Sequence, residues 1–159
     1  MDSSRTHTLK SLLETQQIAS LGTLHKGEPA VSMVPFALLP HGQGLVIHVS
    51  QLATHTKDML ANPAVSLLVI ASPASDIPAQ ALPRVSIQGR ARQCLGTAAE
   101  YPEARHTYLS RFPQSEAMFG FADFSLFVIE VRSARLIGGF AQATSITAAD
   151  FAATMGAKA

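Results

Sequence analysis

The sequence predicts an α+β, mainly β fold: an antiparallel β-barrel, closed or split, of six to seven strands with a few flanking helices. Three observations carry this reading. Short apolar runs separated by turn signals recur from Ile18 onward. The stretch Arg84–Arg92 alternates strictly between polar and apolar residues, the period of a strand with one wet face. Helical periodicity is confined to a few short segments between these runs. Periodicity by itself leaves other antiparallel folds open.

The opening residues through Thr8 read as frayed, and Leu9, Leu12 and Leu13 at helical spacing predict a helix from about Thr8 to Gln17. Ile18–Leu24 reads as a strand, His25-Lys26-Gly27-Glu28 as a hairpin turn, and Pro29–Leu39 as a second strand. A further turn, Pro40-His41-Gly42-Gln43-Gly44, leads to a strand over Leu45–Ser50, so that these strands form a meander. A short helix follows and stops at Asn62-Pro63. Ala64–Ala71 is apolar on both faces, as a buried barrel strand is. The stretch SPASDIPAQALP reads as an exposed loop. In the alternating strand, Arg84, Ser86, Gln88, Arg90 and Arg92 share one face, which a bare sequence reading takes as solvated at Arg90 and Arg92. Thr97–Phe112 reads as a helix with Thr97 as N-cap and Glu100 completing a capping box, and Pro113 opens another helical turn to about Phe119. Phe124–Val131 and Ala134–Phe140 read as two strands joined at Arg132-Ser133, with a short helix near Ala148–Phe151. No internal repeat or linker divides the chain, which is expected to be one domain over residues 1–159 with its barrel core at about 9–147.

Composition narrows the function. Hydrophobic residues make up 47% and charged residues 14%, too few charges to cover the surface, so an oligomer interface is expected. A formal net charge of +1 with no Lys/Arg-rich run argues against a nucleic-acid partner. The single cysteine, Cys94, excludes an intramolecular disulfide and a Cys-based zinc or iron–sulfur site, and reads as a structural thiol. The N-terminal residues lack the apolar run of a signal peptide and no segment reads as a membrane span, so a soluble, cytoplasmic protein without a membrane partner is expected. No Ser-His-Asp or Cys-His set stands out, and no metal site is expected.

The most informative stretch is GLVIHVSQLATHTKDMLANP, Gly44 to Pro63. A strand ending at Ser50 feeds a helix that carries Thr54, His55, Thr56 and Lys57 near its start. Free backbone N–H groups, hydroxyls and a lysine at such a junction suit an anion such as a phosphate. Read without further context, Lys57 and His55 are equally ordinary surface residues, and His48 is a core or interface histidine.

Five segments in this order resemble the FMN-binding split-barrel proteins of the pyridoxamine-5'-phosphate-oxidase-like family: VSMVPFAL, HVSQLATHTKDMLANPAVSLLV, PRVSIQGRA, FADFSLFVIEV and ARLIGGFAQA. The resemblance covers about Leu13 to Thr147. It implies FMN at a homodimer interface, with electron or hydride transfer between the flavin and a small-molecule substrate or electron donor. It places the backbone of Ser32, Met33, Val34 and Pro35 along the flavin ring. His48, Val49 and Ser50 would meet the ribityl chain and phosphate, and Thr54, His55, Thr56 and Lys57 would hold the phosphate. Arg84 and Gln88 would approach the cofactor from their strand. His55 stands where many relatives have lysine, which makes the charge there weaker or pH-dependent.

Asp123-Phe124 and Gly138-Gly139-Phe140-Ala141-Gln142-Ala143 resemble the haem-utilisation branch of the same family, which implies a haem-binding or haem-degrading protein as an alternative. A haem reading would need an axial ligand from His48, His55 or His106, because no histidine follows His106. The C-terminal arginine and histidine motif of true pyridoxamine-phosphate oxidases is missing, so that activity is not expected. F420 in place of FMN and a non-enzymatic flavin carrier are the remaining alternatives. In the bare reading Asp123 is a cap or turn residue and Gly138-Gly139 permit a bulge or a close backbone approach.

Overall fold

The structure is a computed structural model that describes residues 1–139 and 142–157. Its elements are α1 (Ser3–Thr15), β1 (Ile18–His25), β2 (Glu28–Pro35), β3 (Ala37–Leu38), β4 (Leu45–Ser50), α2 (Thr54–Ala61), β5 (Ala64–Ile70), β6 (Arg84–Cys94), α3 (Tyr101–Arg111), β7 (Phe124–Ile137), β8 (Ala143–Thr147) and α4 (Ala148–Gly156). All pairings are antiparallel, in the order β2-β1-β5-β6-β7-β4-β3, with β8 added to β7. The two ends of that order, β2 and β3, are consecutive pieces of chain separated only by Phe36. The sheet therefore curls until its edges are joined covalently, and the barrel is split where this segment changes partner from β1 to β4.

Side chains alternate as a strand requires. One set fills the barrel, including Leu21, Val34, Leu45, Ile47, Leu67, Ile87, Phe127 and Ile129. Leu9, Leu12 and Leu13 of α1, Met59 of α2 and Phe151 of α4 add to this interior core. The outward set on β4 and β7 is covered by α3, giving a second core of Val46, Cys94, Ala104, Tyr108, Phe112, Leu126 and Val128. Among the described residues, nothing covers the outer face of β2, β1 and β5 in this way. Val31 is 78%, Met33 57% and Ile18 53% exposed there. Among the described residues, no helix is long and apolar enough to cross a membrane.

Several expectations change. The first helix begins at Ser3, because Asp2 caps it by accepting from the Arg5 N–H at 2.9 Å. The meander holds pair by pair, but the second strand is interrupted at Phe36, whose ring is fully buried. The segment after Pro63 is buried on one face only, since Ala64, Ser66 and Ile70 lie on the uncovered side. The expected capping box is not formed: the helix starts at Tyr101 with Glu100 as an N-cap that makes no side-chain bond, and the Glu100 carboxylate pairs with Arg92. Residues 113–120 form a 3₁₀ turn. The two expected C-terminal strands are one, Phe124–Ile137, because an irregularity opposite Gln88/Gly89 lets the strand continue through Arg132 and Ser133. Gly89 is required at that point, since a Cβ would lie 2.7 Å from the Glu130 carbonyl oxygen. Phe140 and Ala141 of the Gly-Gly-Phe-Ala motif lie outside the described residues. The flanking Gly138 N–H donates to the Gln142 carbonyl at 3.0 Å in the turn between β7 and β8.

Candidate functional site

Two neighbourhoods collect the chemistry. The first is the start of α2. The chain leaves β4 at Ser50, turns, and enters the helix at Thr54 with Ala53 as an N-cap that contributes no side-chain bond. The N–H groups of Thr54 and His55 have no carbonyl one turn earlier, so they point out of the helix as free donors. The hydroxyls around them are occupied. Thr56 Oγ1 donates to the Ser50 carbonyl at 2.6 Å, and Thr56 is fully buried. Ser50 Oγ donates to Asp123 Oδ2 at 2.8 Å and accepts from the Leu52 N–H at 3.1 Å. Asp123 thus acts as the turn residue of the bare reading. Thr54 and Lys57 are exposed and His55 is half-buried. Burial lowers the His55 imidazole below its ordinary value against the opposing pull of Asp58, which makes it a weaker cation than a lysine.

Further along α2, Asp58 forms a network that no local pattern announces. It is 5% exposed and uses both carboxylate oxygens: Thr23 Oγ1 donates to Oδ2 at 2.9 Å, and His25 Nδ1 lies 2.7 Å from Oδ1. Burial by itself would raise this carboxyl. The bonds from His25 and Thr23, with the charges of His25 and His55, outweigh it and hold Asp58 below its usual value. The network ties α2 to β1 and leaves His25 Nε2 open. The partners lie 35 and 33 residues away in sequence, and only the fold brings them together.

The remaining expected residues disperse. Val34 and Val49 are buried in the barrel interior. His48 faces the other way, into the α3 layer, where its ring stacks on Phe119 at 3.8 Å and meets Phe124 and Tyr108 at 5.2 and 5.7 Å. Its Nδ1 is buried without a hydrogen-bond partner, and desolvation lowers its pKa to about 4. Arg84 turns back on its own loop, donating to the Gln80 and Leu82 carbonyls at 3.0 Å each. Ser32 has a buried hydroxyl with no partner. Met33 is exposed and Pro35 half-buried on the uncovered face, at the free edge of the sheet. The two-residue turn Lys26-Gly27 makes His25 and Glu28 the closing hydrogen-bonded pair. Alternation along the ladder then turns the N–H and C=O groups of Val31 and Met33 away from β1, out of the edge.

The second neighbourhood is a groove of about 660 Å³ on the uncovered face. Its floor is one continuous cross-strand row, Val31–Gly22–Ser66–Gln88, running over β2, β1, β5 and β6. Three inter-strand steps make this row about 14 Å long. Gly22 and Ser66 keep its middle low. Leu24, Pro29, Val31 and Ala64 give one apolar side; Gln88, Arg90 and Arg132 stand at the other end. Arg90 lies opposite Glu130 in register, and Arg132 Nη2 is 3.5 Å from Glu130 Oε1, with the Arg132 and Glu130 side chains exposed. Gln88 is the one residue of the expected set that lines this groove. Arg132 went unmarked because the sequence reading placed a break there. Cross-strand register, not local pattern, assembles the groove.

The comparisons with known proteins agree with this architecture. The family model described as pyridoxamine 5'-phosphate oxidase matches residues 6–138. The chain is 33% identical over 126 residues to the "Non-canonical heme oxygenase HOZ, chloroplastic" of Arabidopsis thaliana, covering 79% of this chain and 37% of that protein. The structure is similar to that of a heme binding protein from Mycobacterium smegmatis, with a TM-score of 0.84 and 27% identity over 96% of this chain and 62% of that one. It also shares its fold with HutZ, the heme storage protein of Vibrio cholerae, with a TM-score of 0.68 and 22% identity over 76% of this chain and 85% of that one. The chain spans little more than a third of the plant relative and less than two thirds of the mycobacterial one.

Proposed function

The chain belongs to the pyridoxamine 5'-phosphate oxidase family, and from that premise we propose that it binds haem in the groove on the outer face of its barrel, at the boundary between two copies of the chain. The observation that carries this reading is the groove itself: about 660 Å³, apolar along one side, with Arg90 and Arg132 at the other. A flat amphipathic macrocycle with acidic substituents matches that distribution, and the volume lies in the range of small-molecule sites. The plant and mycobacterial relatives, whose names state haem chemistry or haem binding, support it. The fit is to the ring and its carboxylates. No haem-utilisation activity is assigned to particular residues. The second copy is argued from Ile18, Val31, Met33 and Ile70, large apolar side chains exposed together on this face.

FMN is a second reading, favoured by the uncapped start of α2 and the open edge of β2. Thr54, Lys57 and the first N–H groups of the helix would take the phosphate there, and the flavin when bound would supply electron transfer. The donor set is thinner than the motif suggests, because Ser50 and Thr56 spend their hydroxyls inside the protein and Arg84 turns its Nη1 onto the Gln80 and Leu82 carbonyls.

Parallel titrations of the purified protein with haemin and FMN test both. The haem reading expects a saturable shift of the haemin absorbance band that Gly22→Val abolishes by filling the floor, without a loss of melting temperature. At Gly22 the first added carbon, Cβ, would lie 3.4 Å from the Ser66 carbonyl oxygen, at the close limit of ordinary contact. FMN binding lost in Lys57→Ala, with no haemin response, would reverse the order of the two readings.

A further inference from the structure

The groove holds no side chain suited to an iron atom. Its lining offers glycine, alanine, aliphatic and hydroxyl groups, one amide and two guanidiniums, and no imidazole, thiol or thioether. The histidines nearest in sequence or space to the groove's strands are turned elsewhere. His25 follows Leu24 and points, with Thr23, to the opposite side of β1, where Asp58 holds it. His48 lies within the aromatic cluster under α3, and His55 is on α2. Met33 is on the same face but lines a separate depression with Ile18 and Ile70. Among the described residues, what this face presents is a surface for a plane and cations for its acids.

We infer that this groove recognises dicarboxylic porphyrins by their ring and carboxylates irrespective of the metal they carry, with Arg90 and Arg132 as the residues that read the carboxylates. The inference rests on the groove assignment above and narrows its ligand class. Charge complementarity supports it. Arg90 and Arg132 oppose a single carboxylate, Glu130, so the end of the groove keeps an excess positive charge that an acidic ligand neutralises. The guanidinium fork is built for such a partner, forming two parallel bonds to one carboxylate. The Gln88 side chain adds a neutral hydrogen-bonding group between the apolar floor and the cations, with its Oε1 engaged by Ser133 at 3.4 Å. A ligand lying along the floor would have its apolar edge against Leu24, Pro29 and Val31 and its acids at β6 and β7. Glu130 opposes this binding, so its neutralisation strengthens it.

The test is a set of titrations with haemin, zinc protoporphyrin, metal-free protoporphyrin IX and the dimethyl ester of protoporphyrin IX. The chain contains no tryptophan, so the porphyrin's own absorbance and fluorescence are the readouts. The expected result is that the three free acids bind within about fivefold of one another and the ester at least tenfold more weakly. Arg90→Ala with Arg132→Ala should weaken the acids by tenfold or more and leave the ester unchanged, while Glu130→Gln tightens the acids. Melting temperature controls for folding, and Met33→Leu should leave the haemin spectrum as it was. Haemin binding without protoporphyrin IX binding would overturn the inference by showing that iron is read. Equal affinity for acid and ester would overturn it by showing that the arginines do not read carboxylates. If none of the four binds, the groove assignment itself falls.

Discussion

His48 makes the folded protein sensitive to mild acid through a single desolvated ring. Its imidazole is 7% exposed, packed against Phe119, Phe124 and Tyr108, and titrates at about 4 instead of the ordinary 6.5 because burial disfavours the charged form. A histidine whose folded pKa is depressed adds no stability at any pH. It imposes a cost that begins as pH falls through 6.5, where the unfolded chain takes up a proton, and is complete near 4, where the folded chain does so too. At pH 5 that cost is about 2 kcal/mol for a wholly dry ring, and about 1–2 kcal/mol once the small polar pocket at its edge is allowed some solvent. At roughly 2–4 °C per kcal/mol for a chain of this size, moving from pH 7 to pH 5 lowers the melting temperature by about 4 °C through this residue. His48→Phe keeps the stack on Phe119, removes the unpartnered Nδ1 and should be neutral or stabilising at pH 7, with a flatter response between pH 6.5 and 4.5. The assay is thermal unfolding followed by circular dichroism in buffers of matched ionic strength. An unchanged slope in His48→Phe, or a loss of more than about 2 kcal/mol at pH 7, would refute the picture of a neutral, unbonded imidazole.

Three further outcomes follow from the packing. Arg111 donates to the Leu13, Glu14 and Gln16 carbonyls at the end of α1 and lies 5.0 Å from the Phe36 ring centroid, so Arg111→Met should cost about 3 kcal/mol in urea denaturation. Asp58→Asn removes the charged acceptor of Thr23 and His25 and should loosen α2, seen as faster amide exchange over residues 54–61 than in β4. Because the Asp58 carboxyl is held below its ordinary 3.8, its contribution is present above that value and is lost as pH falls through the lowered one, so the variant should lose the corresponding acid limb. Val31→Asp places a charge at the centre of the uncovered face; if two copies pair through it as proposed, sedimentation velocity should report a shift from dimer to monomer with the fold retained.

Strand positions were legible wherever alternation and a turn signal coincided. The His25–Glu28 turn and the strand Leu45–Ser50 are where the pattern put them, because each is specified by neighbours in sequence. The failures share a physical cause. The single long β7 survives Arg132-Ser133 only because Gly89 on the adjacent strand accommodates the irregularity. The cap at Thr97 lost to a pairing of Glu100 with Arg92, which lies on another element. The strand from Ala64 reads as doubly buried because exposed apolar residues cannot be told from core residues in one dimension. The Asp58 network and the Arg90–Arg132 end of the groove escape a local reading because their members come from elements far apart in sequence.

The junction HVSQLATHTK shows how few of its groups are left to offer a ligand. Its hydroxyls are spent on turning the chain: Thr56 holds the Ser50 carbonyl, and Ser50 holds Asp123 and the Leu52 N–H. A buried hydroxyl that leaves such a bond for a ligand would strand its partner and cost about as much as the new bond returns. What the segment can offer a ligand without unfolding itself is therefore its backbone donors, Thr54 and Lys57. The groove has the opposite character. It has no local motif, its floor is low because Gly22 and Ser66 are small, and its arginines are exposed, with only the solvent-facing Glu130 contact to give up. Binding there costs the fold little. That difference in what each site must surrender is why the proposal assigns the ligand to the open face of the barrel.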